Sequence, residues 1–275
     1  MKKIEIMILF ICIIINIYLH AEKYAVLIIG DEATGIEEGI RTLDNQGNES
    51  LFFVPFGEDD ERWSYPMICF WTDTVILYNE LINEGYQAEN IFVLFGRGYD
   101  FELYTLPPQY DPEPNITDYP ARVEDVENIF TLMRDGNSEE NIPALTDSDF
   151  LFVWTFGHGG FEDLDDDEVW DPGEEVFLCL MDDEFDNGTY VPIMASGFSF
   201  QLNQISFHKR VIWMQQCHAG GFIEFLEVDG NQEIIDNNII MTACDISEEA
   251  RVADDIDIDG NYIEHYEKEC IDYCY

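Results

Sequence analysis

Basic residues are what this chain has least of. Its 275 residues include 12 Lys+Arg against 58 Asp+Glu, a formal net charge of −46. Nucleic acid is therefore excluded as a natural partner, because phosphate binding needs a basic face. Anionic membrane surfaces are disfavoured on the same ground. The sequence also has no Cys-x-x-Cys spacing among its seven cysteines, which removes the zinc-ribbon and thioredoxin-type sites. No internal repeat and no linker-like stretch divides the chain after its first residues. So many carboxylates repel one another in a compact state. Divalent cations are the simplest remedy, and outside the cell calcium is at hand.

The one long apolar run comes first. "MKKIEIMILFICIIINIYLHA", residues 1–21, has two lysines, an apolar stretch and Ala21 at a cleavage-compatible position. That is the plan of a secretory signal peptide; the alternative is an uncleaved N-terminal membrane anchor, since the apolar stretch is long. Either way, residues 22–275 are expected outside the cytoplasm, as one domain with enough apolar content for a substantial core.

Within that domain, "YAVLIIG" reads as a strand buried on both faces, "NIFVLFG" as a second buried strand, and "DFLFVWTFGHGG", "RVIWMQQC" and "NNIIMTAC" as the third, fourth and fifth strands. Between them lie helical patterns. "TDTVILYNELINEGY" has Thr72 or Asp73 as cap, Val75, Tyr78, Leu81 and Ile82 on one face, and Gly85 at its end. A second helix opens at Pro120, with Val123, Val126, Ile129, Phe130 and Met133 at helical spacing. "LPPQYDPEPNITDYP" reads as a loop, "VFLCLM" as part of a small hairpin and "GFIEFLE" as a short helix. Buried strands alternating with amphipathic helices predict an α/β fold, a three-layer α/β/α sandwich around a mainly parallel sheet.

Two strand ends look alike, "FVWTFGHGG" and "VIWMQQCHAGG". Each offers a chemically capable side chain followed by glycines, and in such sheets ligands sit beyond the carboxyl ends of the strands. If the strands are neighbours, His158 and Cys217 face one cleft, and a thiol beside an imidazole is an activated nucleophile. His218 is the less suitable base, because adjacent residues leaving a strand point to roughly opposite sides. The backbone N–H groups of Cys217 and of Gly159 or Gly160 would then polarise a scissile carbonyl. The plain alternative makes Cys217 a small core hydrophobe and His158 a satisfied polar residue.

In these two segments, with His158 lying 59 positions before Cys217, the chain resembles the clan of cysteine peptidases that includes caspases, legumain and gingipains. The likeness is nearest to legumain-type or caspase-like peptidases of microbes. It covers roughly Tyr24 to Ala253, and "WTDTVILYNELINEGYQAENIFVLFG" and "IIMTACDISEEA" contribute to it. The resemblance implies a caspase-like fold and a Cys/His dyad cleaving peptide bonds through a thioester acyl-enzyme. It also implies that Gln215 helps line the pocket for the side chain before the scissile bond, the alternative being an amide that pairs with sheet-end backbone. An acid after the fifth strand, Asp245 or Asp254, would receive an Arg, Lys or Asn side chain there. The segment "MICFWTD" has no counterpart of the pocket arginine of legumains, so strict asparagine specificity is not implied. The tail "EKECIDYCY" is short where relatives continue with a further helix, and its Cys270 and Cys274 could form a local disulfide or neither.

Two acidic segments could bind calcium. "DLDDDEVWDPGE" puts Asp163, Asp165, Asp167, Asp171 and Glu174 at positions 1, 3, 5, 9 and 12 of an EF-hand-like loop, with Glu168 where glycine is usual. "DIDIDGNYIEHY" supplies Asp255, Asp257 and Asp259, with Tyr266 in place of the bidentate acid. A solvated charged loop is the alternative for both. The expected function is a secreted cysteine endopeptidase acting on protein or peptide, with no cofactor needed for the chemistry and calcium as a candidate ligand. A transpeptidase using the same dyad, or a catalytically silent calcium-binding or adhesion module, are the competing expectations.

Overall fold

The five apolar runs lie side by side as one all-parallel sheet. In the computed structural model they are β1 (Lys23–Ile29), β4 (Ile91–Phe95), β5 (Phe150–Phe156), β9 (Lys209–Gln215) and β10 (Asn238–Thr242), in the order β10-β9-β5-β1-β4. The structure describes residues 21–30, 40–43, 49–52, 68–100, 112–137, 142–164, 169–182, 190–227 and 236–250. The expected leader (save Ala21), Asp165, Asp167, Asp254, Asp255, Asp257, Asp259, Cys270 and Cys274 lie outside them. Among the described residues no helix is long and apolar enough to cross a membrane. None of Cys179, Cys217 and Cys244 forms a disulfide.

The unbroken hydrophobicity of the central strands follows from helices on both faces. Helix α1 (Ile68–Asn83) covers one face with Phe70, Trp71, Val75 and Leu81, against Leu27, Val93 and Trp154. The other face carries α2 (Val123–Asp135), α3 (Ala195–Leu202) and α4 (Ile223–Leu226), which contribute Val126, Phe130, Phe198 and Leu226 to a core with Val26, Val153 and Ile212. The split follows from chain direction. The step from β1 to β4 runs one way along the sheet, and the steps from β4 to β5, β9 and β10 run the other. Right-handed crossovers in opposite directions put their helices on opposite faces.

Helix α1 departs from its sequence reading. It begins at Ile68, so Thr72 and Asp73 lie inside it and do not cap it. The cause is tertiary: Phe70 stacks edge-on against Phe156, with ring centroids 4.6 Å apart, and Trp71 against Phe95 at 4.9 Å. Burying two aromatic rings is worth about 1.5–3 kcal/mol each, which outweighs the preference for a polar cap. Ile82 also points outward, 37% exposed, at the edge of the buried stripe. The second helix starts at Val123, three residues after Pro120. Before it the chain makes single bridges, Tyr119 to Leu94 and Arg122 to Met181.

The described residues form two further sheets. Strands β2 (Ile40–Leu43) and β3 (Glu49–Phe52) form an antiparallel pair. Strands β6 (Gly159–Phe161), β7 (Val176–Met181) and β8 (Tyr190–Met194) form a three-stranded antiparallel sheet. The second of these bears directly on function. In an open parallel sheet the ligand crevice lies where the connections diverge, here between the carboxyl ends of β1 and β5. β7 reaches that spot. The carbonyl of Cys179 comes so near Gly30, just past β1, that a Cβ there would stand 1.9 Å from its oxygen. The Cys179 N–H donates to the His158 carbonyl at 2.9 Å. β7 thus packs against the end of β1 and the chain after β5, and the neighbouring strand ends of β5 and β9 lead to His158 and Cys217.

Candidate active site

Strands β5 and β9 are adjacent and in register, the last pair being Phe156 with Gln215. His158 and Cys217 each stand two residues beyond that pair in sequence. The two tips touch: a Cβ on Gly159 would lie 2.3 Å from the Cys217 carbonyl oxygen and 2.9 Å from Cγ of Gln216. Gly159 therefore serves close packing of one tip on the other. The sequence brings both tips here because each follows a strand of seven residues, paired in parallel from its first residue to its last.

His158 is half-buried. Its ring lies between two aromatic edges, Phe70 at 6.2 Å and Tyr190 at 5.6 Å between centroids. The Cys217 sulfur accepts the backbone N–H of Ala250 at 3.3 Å. Burial pushes the Cys217 thiol above its ordinary value, and Cys244 and the carboxylate of Glu249 push the same way. The N–H groups of Ala250 and of Cys217 itself oppose them, favouring a thiolate. Burial is the largest of these effects, so the net direction is upward, toward the neutral thiol.

His218 occupies a different environment. It is buried, and its Nδ1–H donates to the Ile246 carbonyl at 2.8 Å, while its backbone N–H donates to Glu248 O at 2.9 Å. The ring edge meets Phe161, centroids 4.9 Å apart. Its φ of 58° is in the left-handed region, which costs a side-chain-bearing residue about 1–2 kcal/mol and turns the chain sharply after Cys217. Its ring is committed to tying the segment after β10 to the tip of β9.

The remaining site residues separate into three groups. Gln215 is buried, and its Oε1 accepts the indole N–H of Trp154 on the neighbouring strand. Asp245 is exposed, and its Oδ1 accepts the N–H of Ile246 at 2.6 Å. Its backbone lies against Gly220, whose added Cβ would meet the Asp245 carbonyl carbon at 2.9 Å, so this segment borders the β9 tip. Of the first acidic loop, Asp163 and Asp171 are exposed. Glu174 is buried and accepts the N–H of Leu164 at 2.7 Å and that of Asp171 at 2.8 Å, one on each oxygen. Its carboxylate closes its own loop. Among the described residues no three His, Cys, Asp or Glu side chains come together as metal ligands.

Several residues at the site gave no signal in sequence. Phe70 and Tyr190, which flank His158, are ordinary aromatics until the fold brings them together. Ala250 contributes only a backbone donor, which no side-chain pattern reveals. Gln216 is wholly buried with its Oε1 accepting Thr155 Oγ1–H at 2.7 Å, a cross-strand tie just below the tips.

Compared with protein-family models and with curated proteins, the chain matches none.

Proposed function

We propose that this chain is a secreted cysteine-type endopeptidase, with Cys217 as nucleophile and His158 as base. The observation that supports it most is the in-register pairing of β5 with β9, after which His158 and Cys217 each follow two residues beyond the last pair. From the neutral thiol, the Cys217 proton passes to His158 as sulfur attacks the scissile carbonyl. The backbone N–H groups of Cys217 and Gly159 would carry the developing oxyanion. Collapse of that adduct breaks the C–N bond, His158 gives its proton to the departing amine, and a thioester remains on Cys217. Water releases the acid product; an amine in its place would make the protein a transpeptidase. Gln215, held by Trp154, and Asp245 with Asp254 are the proposed side-chain pocket before the scissile bond. Calcium at the acidic loops is a proposed stabiliser of the chain's charge.

A second reading has one observation in its favour. The raised, half-buried Cys217 thiol is what an inert structural cysteine looks like, which suits a catalytically silent binding module. The discriminating experiment is labelling by a thiol-directed peptide inhibitor in calcium-containing buffer. The peptidase reading expects one label on the wild type, none on Cys217→Ala, and strongly slowed labelling on His158→Ala. An unlabelled wild type would favour the silent module. Chelation that leaves activity unchanged would remove calcium from the account.

A further inference from the structure

The small antiparallel sheet has two unlike faces. Directly opposed residues of antiparallel strands share a face, and successive residues alternate. Val176, Leu178, Leu180 and Ile193 point into the core. On the other face the pairs are Gly160 with Phe177, Phe177 with Met194, Cys179 with Pro192, and the buried Met181 with Tyr190. His158 belongs to this face too. It precedes β6 opposite Cys179, whose N–H donates to its carbonyl, and its ring meets that of Tyr190. A Cβ at Gly160 would stand 2.7 Å from the Phe177 ring, so the absence of a side chain there lets that ring lie across β6. Phe177, Cys179, Tyr190 and Met194 are half-buried and Pro192 is exposed. In a chain of net charge −46, this row beside the base carries no charge.

Chemistry decides what such a surface would meet. In thioester formation the acyl half stays on the cysteine, and the leaving amine takes its proton from the imidazole. The segment that departs therefore lies on the histidine's side of the cleft. We propose that Phe177, Cys179, Tyr190, Pro192 and Met194 bind the part of the substrate that follows the scissile bond, and that they select an apolar or aromatic side chain immediately after it. This rests on the peptidase reading above. The same surface would receive an incoming amine that attacks the thioester. There C–N forms, C–S breaks, and the amine proton returns through His158 to sulfur.

The test uses the full-length protein and a peptide ester, whose small alcohol leaving group makes no demand on this surface. The acyl-enzyme is offered phenylalanine amide, glycine amide or aspartic acid amide, and the ratio of amide to acid product is measured. A pocket selective for apolar side chains discriminates by about 10–200-fold, so phenylalanine amide should capture at least about tenfold more acyl group than glycine amide, and aspartic acid amide least. Phe177→Ala and the exposed Pro192→Asp should each narrow that ratio, with circular dichroism and the unfolding midpoint as checks on the fold. Ester turnover with equal capture of all three amines overturns the inference and leaves the peptidase reading standing. No ester turnover at all overturns both.

Discussion

The tips of β5 and β9 are written in nearly the same letters, FGHGG and QQCHAGG, yet their histidines have opposite fates. His158 follows a glycine, stands half-buried between Phe70 and Tyr190, and shares the uncharged face of the small sheet. His218 follows Cys217, takes a left-handed backbone conformation, and spends its Nδ1–H on Ile246 inside the protein. Composition did not separate them. The difference lies in what each tip is packed against: the first leads into a strand at the protein surface, the second into a buried 3₁₀ turn, Ala219–Phe222, under the segment after β10. A histidine beside a cysteine in sequence is thus the structural one, and the histidine on the neighbouring strand is the chemical candidate.

The contrast breaks most visibly by deletion. Cys217→Ala should remove turnover altogether, and His158→Ala should lower it by about 10²–10⁴-fold, the range for loss of a general acid–base, with unfolding midpoints close to wild type. His218→Ala should do the reverse, keeping the chemistry and losing stability. Steady-state rates and urea titrations on the same three proteins check both halves. A His218→Ala protein as dead as His158→Ala, yet fully folded, would invert the assignment.

Next in size is Gly159→Ala. Its new Cβ would overlap the Cys217 carbonyl at 2.3 Å, and backbone cannot step aside as a flexible side chain can. Overpacking of this kind costs about 1–3 kcal/mol, and here it also prises the two tips apart. Both the unfolding midpoint and the rate of Cys217 labelling should fall. The corresponding change on the other tip, Gly220→Ala, meets Ile246 N at 2.6 Å and Asp245 carbons at 2.9 and 3.0 Å. It should destabilise comparably but slow labelling less, because it presses on the side away from His158.

His218 itself offers a finer probe. Alanine there loses the bond to Ile246 while keeping the left-handed strain. Glycine loses the same bond but relieves the strain. His218→Ala should therefore lie about 1–3 kcal/mol below wild type, and His218→Gly should recover about 1 kcal/mol of that. Equal midpoints for the two variants would mean the backbone conformation relaxes once the ring is gone.

These effects also mark what could be read without the fold. The five strands and three of the helices were legible from their apolar patterning, whereas the adjacency of the two tips entered only as a condition, which the pairing of β5 with β9 meets. β10 departs from full cover, with Ile239 57% and Met241 42% exposed. The early start of α1 was not legible, since Phe70 and Trp71 lengthen it only by finding Phe156 and Phe95. Nor was α3, whose sequence "ASGFSFQL" mixes glycine and serines with its apolar residues. His158 and Cys217 stood out as types at glycine-flanked ends. Tyr190, Ala250 and the anchoring of Gln215 by Trp154 did not, because contacts from distant segments carry no local spacing. The His218 assignment came from strand geometry alone, and its partner Ile246 from none of it.

The smallest expected effect concerns the charge beside the sulfur. The Cys217 thiol lies above its ordinary value chiefly through burial, with Glu249 adding to the rise. A group whose pKa is raised by folding adds stability that is complete below its unfolded pKa and is lost as pH climbs through the folded one. The Cys217 contribution is accordingly lost on the alkaline side. Glu249→Gln removes one cause, moving the folded pKa back toward the ordinary thiol range and making that alkaline loss shallower. Glu249 is exposed, so its charge is worth about 0.2–1 kcal/mol and is screened by salt. At neutral pH and low salt, iodoacetamide should alkylate Cys217 in the Glu249→Gln protein about 1.5- to 5-fold faster than in wild type, and the advantage should shrink as salt is added. In His158→Ala the same substitution should still speed alkylation. If it does not, Glu249 acts on the imidazole and not on the sulfur, and the two tips are more closely coupled than their separate hydrogen bonds suggest.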